Sequence, residues 1–281
     1  SGERDVIERM ETAFRNCEKL QKHMRLLLDK GGLYKIYNGN LLFHGCIPLN
    51  EDGSLKEIQI YGKKYKGREL YDVLETYVRR AFFAVDSMEQ RKGMDILWFI
   101  WASPSSPLFG KDKMTTFERY FIADKETHKE TKGAYYHLLE NEEVVDTLLQ
   151  EFDLSPENGH IINGHVPVHQ GEGESPVKCN GKVIVIDGGF CKAYQKVTGI
   201  AGYTLIYNSY GLILSAHEPF TSKEDAVSKE SDIVSNRVSV HYTSKRRLVG
   251  DTDTGKALRE RIEELMQLLD AYRKGYIKEK K

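Results

Sequence analysis

Residues 33–45 read LYKIYNGNLLFHG, two apolar runs separated by the pair Asn38-Gly39. An Asn-Gly pair between apolar runs is typical of a type I′ β-hairpin, because both central residues of that turn take positive φ angles. The pattern therefore predicts a hairpin at this point of the chain. His44 falls at the end of the second strand and is followed by a Gly-Cys-Ile-Pro loop.

Further strands are predicted in the second half of the chain. Residues 182–189 (KVIVIDGG) begin with a continuous β-branched run, which is typical of a strand buried on both faces. Residues 160–165 (HIINGH) predict a short strand that runs into a tight turn. Residues 203–207 and 212–216 flank an Asn-Ser-Tyr-Gly turn and predict a second hairpin. Residues 237–242 predict an edge strand.

Apolar residues spaced three or four apart predict amphipathic helices over 6–30, 67–86, 94–101, 142–151 and 256–274. The pair Gly31-Gly32 is expected to end the first of these helices with a left-handed glycine.

The last predicted helix is preceded by residues 250–255 (GDTDTG). This segment lacks the downstream glutamate of a calcium loop, so it is expected to cap the helix. The helix itself is expected to bury one apolar face. That face consists of Leu258, Ile262, Leu265, Leu269 and Tyr272.

Helices at both ends of a central set of strands predict an α/β fold, with a mixed sheet between helical layers. One domain is expected over residues 1–281. It would comprise an N-terminal helix (1–31), a hairpin with a helical and loop insert (33–150), and strands with a closing helix (160–281). Residues 221–236 are expected to form a mobile surface loop.

The composition narrows the class of protein. The 281 residues carry 41 Lys and Arg against 42 Asp and Glu, a balance that argues against broad nucleic-acid binding. No apolar run approaches the roughly 18 residues that span a bilayer, so no membrane association is expected. Four widely spaced cysteines without a CxxC pair predict reduced thiols in a cytoplasmic protein.

Two of the nine histidines stand out by position. His44 and His165 each follow an apolar strand and adjoin a glycine, where a fixed backbone meets an open loop. Neutral imidazole is the commonest side-chain metal ligand, so shared metal binding is one interpretation. Ordinary surface or core histidines are the alternative, because spacing alone does not show that residues 121 positions apart converge.

Two other features leave their interpretation open. Asp187, at the end of a predicted strand, could orient a histidine or approach a phosphate, or it could simply terminate the strand. Lys111 and Arg119 could bind an anionic substrate, Arg in bidentate fashion, or lie in a solvated loop.

Five segments carry a family resemblance: residues 37–48 (YNGNLLFHGCIP), 106–121 (SPLFGKDKMTTFERYF), 161–167 (IINGHVP), 185–190 (VIDGGF) and 198–211 (TGIAGYTLIYNSYG). Together they resemble the class III, or Firmicutes-type, fructose-1,6-bisphosphatases, a branch of the calcineurin-like metallophosphatase superfamily. The resemblance extends over nearly the whole chain.

The resemblance implies the C-terminal portion of a calcineurin-like αββα sandwich and hydrolysis of fructose 1,6-bisphosphate with two divalent cations, usually Mn²⁺. It also implies roles for particular residues. These are His44 and His165 as metal ligands, Arg119 and Lys111 as substrate-binding groups, and Asn163, Gly164 and Asp187 as pocket-shaping groups.

The chain departs from the family pattern in one respect. Asp-x-His, Gly-Asp-x-x-Asp and Gly-Asn-His motifs, which supply the other metal ligands and the general acid, are expected upstream of residue 1. The isolated chain is therefore expected to have little or no phosphatase activity. Two alternatives remain open, namely an assembly or regulatory module that forms a homo-oligomer, and half of a split enzyme completed in trans.

Overall fold

A computed structural model of the chain describes residues 2–188, 190–220, 222–230 and 235–278. The helices are α1 (Gly2–Arg15), α2 (Glu18–Lys30), α3 (Gly67–Phe83), α4 (Ser87–Ala102), α5 (Thr116–Phe121), α6 (Ala134–His137), α7 (Glu142–Glu151), α8 (Lys192–Thr198), α9 (Lys223–Ser228) and α10 (Asp253–Arg273). The strands are β1 (Tyr34–Tyr37), β2 (Asn40–Phe43), β3 (Ile58–Ile60), β4 (Lys63–Tyr65), β5 (His160–Asn163), β6 (Val177–Lys178), β7 (Val183–Val185), β8 (Gly202–Asn208), β9 (Gly211–His217) and β10 (Ser235–Tyr242). The predicted α/β class with a mixed sheet is confirmed.

The chain divides into two compact units. The first comprises Ser1–Lys35 and Leu42–Asp153, and the second comprises Ile36–Leu41 and Leu154–Lys281. The expectation of one domain over residues 1–281 stays a prediction. No helix in the described ranges combines the length and the apolar character needed to cross a membrane.

The hairpin predicted at Asn38-Gly39 is confirmed. Asn38 has a φ of 52° and Gly39 a φ of 79°, the positive pair that a type I′ turn requires. The turn joins β1 to β2 in a five-stranded sheet of order β1-β2-β5-β7-β6.

Strands β5 and β7 form the parallel pair of this sheet, with Ile161 opposite Val183 and Asn163 opposite Val185. Every residue of both strands is buried, as the β-branched run predicts. Strand β6 pairs with β7 in the antiparallel direction, so the sheet is mixed.

A three-stranded antiparallel sheet of order β10-β9-β8 forms a further part of the second unit. It confirms both the second predicted hairpin and the edge position of residues 237–242. The mobile loop expected over 221–236 contains α9, while residues 221 and 231–234 lie outside the described residues.

The core of the first unit forms where α3 and α4 pack on the β3-β4 hairpin. Its buried residues are Ile58 and Ile60 from β3, Leu70 and Leu74 from α3, and Ile96 and Ile100 from α4. Gly93 allows the two helices to approach closely, since a Cβ there would lie 2.3 Å from the backbone nitrogen of Ala81. The hairpin itself was not predicted.

The prediction of one helix over residues 6–30 is wrong, because the chain breaks after Arg15 into α1 and α2. The predicted left-handed glycine is also wrong, since Gly31 is extended with a φ of −82°. Glycine is nevertheless required there, because a Cβ would lie 2.5 Å from the carbonyl oxygen of Leu27.

Helix α10 begins as predicted. The Thr252 side chain accepts a hydrogen bond from the Gly255 amide, which confirms the capping role of this segment. Asp253 exchanges hydrogen bonds with Asn38 in the hairpin turn, at 2.7 and 3.0 Å, and so fixes the N-terminus of the helix.

The predicted burial of α10 is wrong. Every residue from 256 to 270 is exposed, and Tyr272 is exposed as well. An amphipathic pattern indicates that a helix has an apolar face but does not specify what covers that face.

Candidate functional site

The carboxyl ends of β5 and β7 bring four of the sequence-predicted residues together. Because Asn163 is opposite Val185 in parallel register, the segments that follow, Gly164-His165 and Ile186-Asp187, leave the sheet side by side. The Ile186 amide donates to the Asn163 carbonyl at 2.9 Å, and the Val168 amide donates to the Asp187 carbonyl at 2.8 Å. Ligand sites of α/β proteins lie at this edge of the sheet.

His165 has a left-handed backbone, with a φ of 69°. Positive φ is uncommon for a residue with a side chain, and strained backbone of this kind clusters at functional sites. The residue is partly buried, and its Nε2 atom is inaccessible to solvent. Asn163, two residues earlier, is 2% exposed. The conformation of His165 therefore marks this loop as a candidate site.

His44 belongs to the first unit, where it directly follows β2 and is exposed. The loop after it is held firmly. The Cys46 amide donates to the Pro107 carbonyl at 2.8 Å, and a Cβ at Gly45 would lie 2.6 Å from that same oxygen. Glycine beside His44 is thus explained by a close approach of two backbone segments.

Tyr71 anchors the same loop through a hydrogen bond. Its hydroxyl donates to the Cys46 carbonyl at 2.8 Å, and the side chain is fully buried. Burial also raises the pKa of the Cys46 thiol to about 12, so this cysteine stays protonated. The contact that Tyr71 makes could not be predicted, because nothing in the spacing of the sequence links α3 to this loop.

We expect Tyr71→Phe to lower the free energy of unfolding by about 1–3 kcal/mol, because the substitution leaves a buried carbonyl without its donor. Chemical denaturation followed by circular dichroism measures the change. Tyr61→Phe is the matched control, since the Tyr61 hydroxyl also donates to a carbonyl, that of Lys92, but from a side chain that is 49% exposed. An equal effect in both variants would contradict the anchoring role of Tyr71.

Lys111 and Arg119 lie in one hydrogen-bonded network of the first unit. The Lys111 ammonium contacts Glu130 at 2.8 Å, and the Glu130 carboxylate also accepts from Thr115. Arg119 donates to the Thr115 hydroxyl and to the His128 carbonyl, each at 3.0 Å. Both cations are therefore ordered by protein partners.

The pKa of Glu130 reflects this network. Burial raises it, but the hydrogen bonds from Lys111 and Thr115 outweigh burial and lower the pKa to about 2. Glu130 is therefore ionised at neutral pH and holds Lys111 in place. Sequence reasoning missed this carboxylate, since no motif relates it to a lysine 19 positions away.

Lys111 also lines a cavity of about 260 Å³ in the first unit. Its charged lining residues are Lys56, Lys111, Lys132, Glu51 and Asp112. Glu130 neutralises one of these three lysines, Lys111, so the lining carries no excess of positive charge.

The residues of this chain do not by themselves fit a complete metal centre. Within the described residues there is no group of three or more His, Cys, Asp or Glu side chains that could hold a metal ion. Two imidazoles would leave at least two positions of a transition-metal shell to other ligands. His44 and His165 lie in different units.

The fold and the polar residues at the strand ends define the class of this protein. It is an α/β protein whose candidate functional groups lie at the carboxyl edge of a sheet. Residues 1–274 match the family described as Firmicute fructose-1,6-bisphosphatase. The chain belongs to this family.

Curated relatives agree with this assignment. The chain is 57% identical over 278 residues to a fructose-1,6-bisphosphatase class 3 of Clostridioides difficile (strain 630). It is 54% identical to proteins of the same name from Clostridium botulinum (strain Loch Maree / Type A3) and Clostridium tetani (strain Massachusetts / E88). Each comparison covers 99% of this chain but 42% of the relative, so the chain spans less than half the length of these proteins. No solved structure is significantly similar to the chain.

Proposed function

We propose that the chain is part of a class 3 fructose-1,6-bisphosphatase, which hydrolyses fructose 1,6-bisphosphate to fructose 6-phosphate and phosphate. The observation that carries the proposal is the 57% identity to a protein of that name, which extends over 99% of the chain. The resemblance to calcineurin-like metallophosphatases further suggests that the mixed sheet is a portion of their αββα sandwich.

Within the whole enzyme, His44 and His165 would each supply an imidazole ligand to a divalent cation, Mn²⁺ in our proposal. Both residues follow buried strands, and the left-handed backbone of His165 turns the chain at the sheet edge. Asn163, Gly164 and Asp187 would shape the pocket around His165, which the parallel register of β5 and β7 supports. The remaining metal ligands and the general acid would come from the longer polypeptide.

Lys111 and Arg119 would bind substrate phosphate. Their support is the order that Glu130 imposes on Lys111 and Thr115 imposes on Arg119, together with the cavity that Lys111 lines. A cation that is already ordered loses less entropy when it binds an anion. Charge-assisted hydrogen bonds from Arg and Lys are the contacts that phosphate recognition uses.

We expect the isolated 281-residue chain to release no phosphate from fructose 1,6-bisphosphate with Mn²⁺ present. Activity is expected when this chain replaces the matching 278 residues of the Clostridioides difficile relative, a protein that we call the chimera. Phosphate release measures both. The proposal is contradicted by an inactive chimera whose circular dichroism and melting match the relative. Enzyme-like turnover of about 1–10³ s⁻¹ in the isolated chain would contradict the expectation that this chain is inactive by itself.

A second candidate function is an assembly or regulatory module, and the exposed apolar side chains of the terminal helices favour it. A third arrangement, completion in trans, is tested by mixing the chain with the part of the relative that it does not match. Phosphate release by the mixture, but by neither part when assayed separately, would show a split enzyme. No release by the mixture, beside an active chimera, would exclude completion in trans.

A further inference from the structure

Helix α10 carries an apolar seam that runs along one side. Leu258, Ile262, Leu265, Leu269 and Tyr272 follow one another at spacings of four, three, four and three residues. We call these five residues the α10 seam. A sustained average spacing of 3.5 residues is the pattern of a helix that packs against another helix in a coiled coil.

The α10 seam is exposed to solvent. Its five residues are between 42% and 55% exposed, and the flanking Met266 and Leu268 are 66% and 44% exposed. Hydrogen bonds fix the first two turns of the helix to its own unit, through Asp253, Thr254 and Arg259. The described part of the chain therefore supplies no partner for the seam.

The arrangement of the seam suits a second copy of the same helix. It is symmetric about Gln267, since Leu265 and Leu269 lie two positions away on either side and Ile262 and Tyr272 lie five positions away. Two copies that run antiparallel would place Leu265 opposite Leu269 and Ile262 opposite Tyr272. Antiparallel helices also oppose their dipoles favourably.

The area of the seam is sufficient for a dimer. Seven large side chains at about half exposure leave on the order of 700 Å² per helix, if each exposes about 200 Å² in full. Two copies would then bury up to about 1,400 Å², above the ~1,000 Å² that a specific interface needs. The formal net charge of −1 gives two copies no strong mutual repulsion.

We propose that the chain forms a homodimer through the α10 seam, with the two α10 helices antiparallel about a two-fold axis that crosses the seam between Leu265 and Leu269. The same surface patch then serves both copies, as in other two-fold interfaces. This proposal does not depend on the catalytic function.

Sedimentation equilibrium of the 281-residue chain tests the dimer. We expect the unchanged chain to be dimeric and the double variant Leu265→Asp/Leu269→Asp to raise the dissociation constant more than about 100-fold, because it removes the central side chains of the interface. Gln267→Asp is the control, since it adds a carboxylate to the opposite face of the same helix. Circular dichroism shows whether each variant keeps its helical content.

Spin labels test the orientation. With the exposed Cys17 and Cys191 replaced by serine, a label is placed on Lys256→Cys. Antiparallel helices would hold the two labels roughly 33 Å apart along the axis, from a rise of about 1.5 Å per residue. A parallel pair would bring them much closer, and a short distance would overturn the proposed arrangement.

A chain that stays monomeric at high concentration would overturn the proposal entirely. So would a dimer that the seam variant leaves intact but that Phe14→Asp dissociates, because the exposed apolar residues of α1 would then form the interface.

Discussion

Replacing His165 with alanine in the chimera is expected to lower kcat for phosphate release by more than about 100-fold, and His44→Ala is expected to do the same. Loss of a hydrogen-bonding partner of a metal ligand typically costs 10–100-fold, and loss of the ligand itself should cost more. The expectation rests on the position of both imidazoles at strand ends, His44 directly after β2 and His165 two residues after β5. Initial rates over a range of Mn²⁺ concentrations measure the effect and show whether added metal restores part of the activity.

His23→Ala is the control for both variants. His23 lies on α2 and is exposed, so its removal should leave kcat within about twofold. If His165→Ala or His44→Ala behaved like His23→Ala while the chimera stayed active, the assignment of that histidine as a metal ligand would be wrong.

Lowering the pH from about 6.5 to about 4 is expected to destabilise the second unit by up to about 3 kcal/mol through His160. Burial and the neighbouring His241, whose ring centroid lies 4.9 Å away, lower the pKa of His160 from 6.5 to about 4. The unfolded chain takes up a proton at His160 in this pH range, whereas the folded chain does not. The free energy of unfolding therefore falls with pH throughout this interval.

Urea denaturation followed by circular dichroism between pH 4 and pH 8 measures this dependence. His160→Gln should flatten the curve, because it removes the group that titrates differently in the two states. His23→Gln is the matched control at an exposed position and should leave the slope unchanged. If His160→Gln also left the slope of the free energy of unfolding against pH unchanged, other groups would account for the pH dependence.

Local chemistry made much of the fold predictable. Asn38-Gly39 specifies a turn that few other residue pairs favour. Residues 183–185 form an unbroken apolar run because both faces of their strand are buried. The hairpin of β3 and β4 escaped prediction because its strands have three residues each and only Gly62 of its two turn residues is typical of a left-handed turn, while Tyr61 has a φ of 46°. An aromatic residue gives no signal for a left-handed turn.

The burial of the terminal helices was not predictable, because it depends on what surrounds them. The spacing of Leu258, Ile262 and Leu265 correctly indicates an apolar face, but the same spacing suits an intrachain core and a contact with another molecule equally well. Whether the apolar face of α10 is buried or exposed could therefore be determined only from the structure.

The candidate site was predictable in part. The pattern of a histidine beside a glycine at a strand end made His44 and His165 candidates from the sequence, and the structure places both at strand ends. The position of Asp187 beside the segment that carries His165 follows from the register of β5 and β7, which the sequence does not reveal. The contact between Lys111 and Glu130 likewise depends on the fold. Neither arrangement can be predicted from the spacing of residues in the sequence.

The central proposal is that His44 and His165 each supply an imidazole ligand to a divalent cation in the whole enzyme. Electron spin-echo spectroscopy of the Mn²⁺-loaded chimera, with ¹⁵N-labelled histidine, counts the imidazole nitrogens that are bound to the metal. The account predicts that the count of bound imidazole nitrogens falls by one in His44→Ala, by one in His165→Ala and by two in the double variant. An unchanged count in either single variant would contradict it.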